Sequence, residues 1–406
     1  MFGVNGNQKG VPLWSTGVAW NINKEAFYHF DFLQQLQLKG SFGYNGNVNK
    51  SITAYTTALL YSYPTVYNVP FLDIINPPNP SLRWERVQNV NLGLNFGLKG
   101  NIVTGSIEFY LKKGMDLIGT SPVAPQTGIS VYTGNAANTK TRGIDLQINS
   151  QNIDRIFKWS STYILNISKD KVTSYMLNAG TNRDIVTNSS INPIVGYPIN
   201  SIFSFKSAGL DHLGNPQGFL NSVASIDYTG IQGVKDISQL VFSGSAVPTF
   251  FGGFRNTFSY KNIELSVNLI YKIGYYFRRT ALNYTSLFNG QYKNPEFEKR
   301  WQNPGDENFT VVPSLIYPAD ISRDELYNYS DATVEKGDHI KLNDVKLSYF
   351  LPDNVVKIIG LKSVEFYGYA NNLGIIWRAN KKGLDPEVLG GFPLPRNVSI
   401  GFKTNF

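Results

Sequence analysis

The chain has 406 residues, 42% of them apolar and only 16% charged, with 37 Gly, 24 Tyr and 26 Phe, a mixture that suits extended strands joined by polar loops and suits helices poorly. Cysteine is absent, which excludes disulfides, thiolate nucleophiles and Cys-based metal sites together. The formal charge of +8 is carried by Lys and Arg scattered with no dense run, so it gives no footing for a nucleic-acid partner.

No stretch reaches the roughly 18 apolar residues that a transmembrane helix needs, and a membrane protein without such a helix must be a barrel. The pattern that decides for membrane strands is two-residue alternation sustained well beyond ordinary strand length. It is predicted first near residues 11–23 and 34–46. Near 86–98, Val90, Leu92, Leu94 and Phe96 oppose Asn89, Asn91 and Asn95. Near 101–114, Val103, Ile107, Phe109 and Leu111 oppose Thr104, Ser106, Glu108, Tyr110 and Lys112. Segments near 141–151, 156–168 and 249–260 follow. Near 263–275, Ile263, Leu265, Val267, Leu269 and Tyr271 oppose Glu264, Ser266, Asn268 and Lys272. Segments near 339–351, 362–373 and 396–406 complete eleven crossing strands of the length needed to span a bilayer at a tilt. A phase change between Leu342 and Val345 predicts a bulge.

The connections alternate in length. Short ones fall at 98–101, 152–155, 260–262 and 352–360, and long ones at 48–84, 115–139, 169–248, 278–337 and 375–394. Short periplasmic turns facing long extracellular loops are the habit of outer-membrane barrels. Parity then places the Phe406 end in the periplasm and the Met1 end outside. An odd strand count would leave unpaired backbone groups at both margins, at roughly several kcal/mol each in lipid, so the expectation is half of a larger barrel. Residues Phe2 to Gly6 lack a basic segment, an apolar core and a small-residue cleavage site, so a secretory leader is expected further upstream.

Several stretches then resemble one family in order along the chain. Ser81-Leu82-Arg83-Trp84-Glu85 leading into Asn91-Leu92-Gly93-Leu94, Thr139-Lys140-Thr141-Arg142-Gly143-Ile144-Asp145-Leu146, and Gly196-Tyr197-Pro198-Ile199-Asn200-Ser201 with Gly209-Leu210-Asp211 resemble motifs of the SusC/RagA-like TonB-dependent transporters. So do Arg300-Trp301-Gln302-Asn303-Pro304-Gly305-Asp306-Glu307, Gly337-Asp338-His339-Ile340-Lys341-Leu342, Asn371-Asn372-Leu373 with Gly383-Leu384-Asp385-Pro386-Glu387, and Pro393-Leu394-Pro395-Arg396. The resemblance implies an all-β protein, a transmembrane antiparallel β-barrel of about 22 strands with a plugged lumen, of which residues 1–406 supply the C-terminal part without the plug and first strands. It further implies an importer of oligosaccharides or peptides in the outer membrane of a Bacteroidota-like Gram-negative cell. That importer would work with a SusD-like surface lipoprotein, outer-membrane lipid, the barrel-assembly machinery, and the TonB complex through the N-terminal part.

Candidate sites follow from position. The last strand carries Val398, Ile400, Phe402 and Phe406 on one face, which resembles the terminal-aromatic signal for barrel assembly; the plainer reading is an ordinary last strand. Trp14, Trp20, Trp159, Tyr260, Tyr275, Tyr276 and Phe277 lie near strand ends and read mostly as an interfacial aromatic girdle, with sugar stacking as the sharper alternative. Trp301, Asp306, Glu307, Trp377 and Arg378 are placed in or beside long loops as candidate substrate or partner contacts, against a reading of loop packing. No cofactor is implied. His29, His212 and His339 lie far apart, and neither a zinc-protease helix motif nor a nucleophile elbow occurs, so catalysis is not expected. Two other readings are a passive porin-like or adhesive barrel and a soluble all-β carbohydrate-binding protein, whose apolar faces would pack into a core.

Overall fold

The computed structural model describes residues 12–47, 52–61, 70–122, 126, 131–176, 180–290, 294–358, 360–389 and 391–405. Eleven long strands form one antiparallel sheet in which every strand pairs with its neighbours in sequence. They are β1 (Trp14–Asn21), β2 (Leu33–Asn47), β3 (Glu85–Leu98), β4 (Val103–Pro122), β5 (Val131–Asp154), β6 (Phe157–Tyr175), β7 (Phe250–Tyr260), β8 (Ile263–Ile273), β9 (His339–Phe350), β10 (Ser363–Arg378) and β11 (Asn397–Asn405). All eleven expected segments are strands. Phe406 lies outside the described residues.

Register turns the alternation of single strands into a continuous surface. Reading across the sheet, Trp20, Leu38, Leu94, Ile107, Leu146, Leu165, Gly252, Tyr271, Ile340 and Trp377 stand opposite one another in a single row. Lower on the later strands, Trp159, Phe258, Leu265, Leu347, Gly368 and Ile400 form another. These side chains are open rather than packed into a core: Leu92 is 57% exposed and Ile400 90%. A soluble sandwich would bury such faces against a second sheet, and among the described residues none covers them. The opposite face is polar. An open concavity of about 510 Å³ lies against Lys39, Asn91, Asn95, Ser106 and Glu108, so the polar face is the inside of the curve.

On that inner face the side chains bond to each other across the strands. Asn95 donates to Gln37 at 3.0 Å and Gln37 to Asn21 at 2.8 Å, an amide ladder across three strands. The expected bulge is present, with Asn343 unpaired between Leu342 and Asp344. Beside it, the buried Asp344 carboxylate accepts from Asn268 at 2.8 Å and pairs with Arg255 at 3.1 Å. On the outer face Gly252 leaves a gap that any Cβ would close. The Tyr271 hydroxyl crosses this gap to donate to the Ile164 carbonyl at 2.8 Å and also meets the Tyr163 hydroxyl at 3.1 Å, so the phenol is satisfied on an apolar face.

The long connections share the end of the sheet from which β1 starts, and the short ones share the other. Three expectations are corrected. Residues 115–139 are not mainly loop: β4 runs to Pro122 and β5 starts at Val131, because the ladder continues past a bulge at Gly114 to Leu117. The 352–360 connection contains a helical turn, Asp353–Ile358, whose Val356 is buried. Strand β10 continues to Arg378, so Trp377 and Arg378 belong to a strand rather than a loop. Pairing with Ile340 and His339 carries the ladder that far, and it places Trp377 in the outward row.

Each margin strand, β1 and β11, has a single partner among the described residues. Opposite costs are predicted for adjacent residues near the middle of β3. Leu92→Arg puts a charge on the outer face and should lower stability in a bilayer by about 2–4 kcal/mol, whereas Asn91→Arg on the inner face should cost far less. Urea unfolding of the complete transporter carrying either substitution, in liposomes, measures the difference, and equal costs would contradict the assignment of faces.

Candidate functional site

Above the long-connection end, residues 176–249 and 274–338 fold together into a cap with its own core. Short helices start where an Asx or Thr side chain accepts from the first free backbone N–H groups: Thr181 with Asp184 opens Asn182–Thr187 as a capping box, and Asp320 opens Ile321–Asn328. Ile185, Val186, Phe203, Phe205, Ile231 and Leu326 form one buried cluster, and Ala281, Leu282, Tyr284, Val312 and Tyr327 another. The cap rests on the inner face of β6. Tyr197 accepts from the Val172 N–H at 2.9 Å, and Asp170 accepts from the Ile199 N–H at 2.9 Å.

Three buried or half-buried arginines order the cap, two of them, Arg278 and Arg323, across the two segments and Arg279 within the second. Arg323 sits on the helix Ile321–Asn328 and donates to the carbonyls of Gly214 at 3.1 Å and Ser314 at 3.0 Å. Arg278 donates to the Phe203 carbonyl and Ser204 hydroxyl on one side, and to Ser330 and Thr333 on the other. Burial pulls its guanidinium down to about 10, still charged at neutral pH. Arg279 pairs with Glu296, whose carboxylate also accepts from Tyr327 and the Leu282 N–H. Sequence reasoning missed all three. Nothing in an isolated Arg or an Arg-Arg pair marks which loop carbonyls it will meet.

The candidate contact residues are occupied as follows. Trp301 donates from Nε1 to Glu307 at 2.8 Å and its ring lies where a Cβ on Gly214 would be, a position with φ of +76°. Glu307 also accepts from the Gly305 N–H. Its carboxyl is held low by the Trp301 hydrogen bond first and by backbone N–H groups after it. Asp306 closes the same turn, accepting from Asn303 and Gln302 N–H groups that hold its carboxyl below the usual range. Beside the turn opens a cleft of about 900 Å³ lined by Arg279, Glu298, Lys299, Arg300, Phe309 and Lys382. Phe309 is 92% exposed at its rim. Arg378 donates to the Gly383 carbonyl and so tethers the start of the last loop.

The expected girdle divides. Trp14, Trp20, Trp159 and Tyr260 lie on the outer face, with Trp14 5.4 Å from the Phe42 ring and Trp159 5.9 Å from Phe258. Tyr275 and Phe277 are buried beneath the cap and are no girdle residues, because β8 ends at Ile273 and the chain turns inward after Gly274. Tyr276 belongs to the cap as well, in the short strand Tyr276–Arg278 that pairs with Val334–Lys336.

The last long loop is latched to the inner wall. Glu387 pairs with Lys272 of β8 and, at 3.5 Å, with Lys341 of β9. The Nε2 of His339, fully buried, lies 4.0 Å away, while its Nδ1 faces the Gly337 carbonyl at 2.8 Å and the Tyr275 hydroxyl at 3.2 Å. Burial pushes the Glu387 carboxyl up, but the Lys272 hydrogen bond and the charges of Lys272, Lys341 and His339 outweigh it and hold it below the ordinary carboxylate range. A depressed carboxyl stabilises the folded form above its unfolded pKa and ceases to do so as pH falls through its folded pKa. The latch is therefore predicted closed at neutral pH and open in acid.

A spin label at Leu389→Cys should become mobile as pH drops below the carboxylate range, and Glu387→Gln should free it at neutral pH; mobility indifferent to both would remove the latch. In the cap, Arg323→Met removes the buried donor to Gly214, Asn215 and Ser314 and should cost about 3 kcal/mol or more. Limited proteolysis should then cut residues 206–218 or 310–320 first, with the sheet intact. Unchanged cleavage would show that the clamp is not what joins the segments.

Comparison with known proteins completes the picture. A family model described as TonB dependent receptor-like, beta-barrel matches residues 2–269. The TonB-dependent receptor P26 of Formosa agariphila is 26% identical, covering 97% of this chain and 42% of its own length. The TonB-dependent receptor SusC of Bacteroides thetaiotaomicron is 23% identical over 97% of this chain and 40% of its own. Among solved structures, the RagAB peptide transporter superposes with a TM-score of 0.76 at 21% identity, over 99% of this chain and 44% of that one, a likeness of fold. The chain thus spans about two-fifths of the curated relatives it matches. An eleven-strand antiparallel wall with an apolar outer face, matched over residues 2–269 by the family model, belongs to the TonB-dependent receptor β-barrel family.

Proposed function

We propose that this chain forms a wall sector and the extracellular cap of a TonB-dependent outer-membrane importer for oligosaccharides or peptides. The observation that carries the reading is the pairing of a continuous apolar outer face with a polar, capped inner face in one sheet. The barrel is completed by further strands along the margins of β1 and β11, since unpaired backbone in lipid costs several kcal/mol per group. Such a wide barrel leaks unless plugged. The plug and the segment that TonB pulls belong to the rest of the transporter in this reading.

Substrate enters past the cap. The cleft beside the Trp301 turn, with Lys299, Arg300 and the exposed Phe309, offers charge and an aromatic face, a combination that suits a sugar or a peptide. Trp301, Asp306 and Glu307 act by shaping that cleft. The exposed Tyr317 and Phe309 give a SusD-like lipoprotein an apolar landing on the cap. At the other end of the chain, the outward row of Val398, Ile400 and Phe402 with the terminal Phe406 is offered to the assembly machinery as its strand signal.

Uptake of labelled oligosaccharides and peptides by cells that carry the complete transporter tests the reading. Uptake should stop when the proton-motive force is collapsed, and Lys299→Glu with Arg300→Glu should lower it at least about tenfold, a loss of roughly 1.4 kcal/mol. Uptake that survives uncoupling would instead identify a passive pore.

A further inference from the structure

The outer face carries a charged feature that import does not use. Above the belt, on the long-connection side, alternation turns Lys113 outward with Leu111 and Phe109, Lys140 and Arg142 outward with Ile144, and Lys169 and Lys171 outward with Ile167. Register then sets Lys113 opposite Lys140 and Lys140 opposite Lys171, three ammonium groups in one row across β4, β5 and β6. One step nearer the belt, Arg142 stands opposite Lys169. Like charges directly opposite on neighbouring strands repel and destabilise the pairing.

No carboxylate among the described residues relieves that repulsion. Among the described residues none of the five cations is in an ion pair. The Asp116 carboxylate of β4 is taken by Arg83 and Arg86. Asp145 and Asp170, interleaved with the patch, belong to the inner face, where Asp170 accepts from the Ile199 N–H. Directly below the cations the face is apolar again, through Phe109, Ile144, Ile167 and Phe250 in one row. The Lys169 ammonium already leans over the Phe250 ring at 5.8 Å.

We propose that this patch binds the phosphate groups of a membrane lipid in the leaflet on the cap side, with the acyl chains lying along the apolar row beneath. A lipid is the occupant because its parts match two adjoining surfaces at once, phosphate against five cations and hydrocarbon against exposed Phe and Ile. A soluble anion would cover only the first. The inference rests on the outer face being the lipid face, and the test separates the two.

The complete transporter that carries this chain is reconstituted in phosphatidylcholine liposomes with and without bisphosphorylated lipid A, and compared with the triple variant Lys113→Gln, Lys140→Gln, Lys171→Gln. Lys112→Gln, on the inner face, is the control. Lipid A should raise the thermal midpoint of the unsubstituted chain and of the control, and lipid phosphate retained through purification should fall at least about tenfold in the triple variant. In phosphatidylcholine alone the triple variant should be the more stable, since its lysines no longer repel. Equal lipid A retention by the triple variant, lower stability of that variant without lipid A, or the same stabilisation by inorganic phosphate would each overturn the proposal. Failure of the complete transporter to enter either kind of liposome would instead strike the membrane reading, and the proposal with it.

Discussion

A backbone amide surrounded by hydrocarbon has no water to bond, and that single constraint organises this molecule. Each membrane strand must find its hydrogen bonds on its two neighbours, so the sheet is a strict meander in which sequence neighbours are spatial neighbours. Once register is fixed, the two-residue period forces the side chains of eleven strands to sort onto two faces. The apolar belt and the polar wall are thus consequences of the same ladder. The bulge at Asn343, where the ladder is imperfect, is also where the inner face gains a charge pair between the buried Asp344 and the half-exposed Arg255.

The cap obeys a different rule. It lies in water, where loops can satisfy their own backbone, and its order comes from a small apolar core and from guanidinium groups that gather carbonyls from segments 75 to 109 residues away. Arg323 reaches back to Gly214, and Arg278 to Phe203. A planar group with five donors suits this work, because one side chain can terminate several loop strands at once. The last loop is attached more loosely, through the charges around Glu387. The inner surface is therefore a hydrogen-bonded wall to which the last loop is held by the charges around Glu387.

The strands were legible in the sequence because their period is imposed by lipid and is local: a reader needs only neighbours two apart to see Val90, Leu92, Leu94 and Phe96 as one face. The bulge was legible for the same reason, as a broken period. What was not legible is long-range. Alternation fades where β4 and β5 leave the belt, so the hairpin 115–139 reads as a loop although its backbone keeps pairing beyond Met115. Tyr275 and Phe277 look like a girdle by proximity to β8, and only the inward turn at Gly274 shows them to be core. Trp301 and its acids were visible as a motif, while their closure into a turn against Gly214 required the fold. The lysine rows of β4, β5 and β6 lie in three segments whose juxtaposition appears only when register is known.

The account stands on the outer face meeting lipid and the inner face meeting water. Because these 406 residues contribute no cysteine, each residue of β3 from Gln88 to Phe96 can be replaced singly by a spin-labelled cysteine in the complete transporter reconstituted in liposomes. Collisions with oxygen, which concentrates in hydrocarbon, should peak at Val90, Leu92, Leu94 and Phe96, and collisions with a water-soluble nickel chelate should peak at Asn89, Asn91, Gly93 and Asn95. A profile without that two-residue beat, or with its peaks exchanged, would contradict the account.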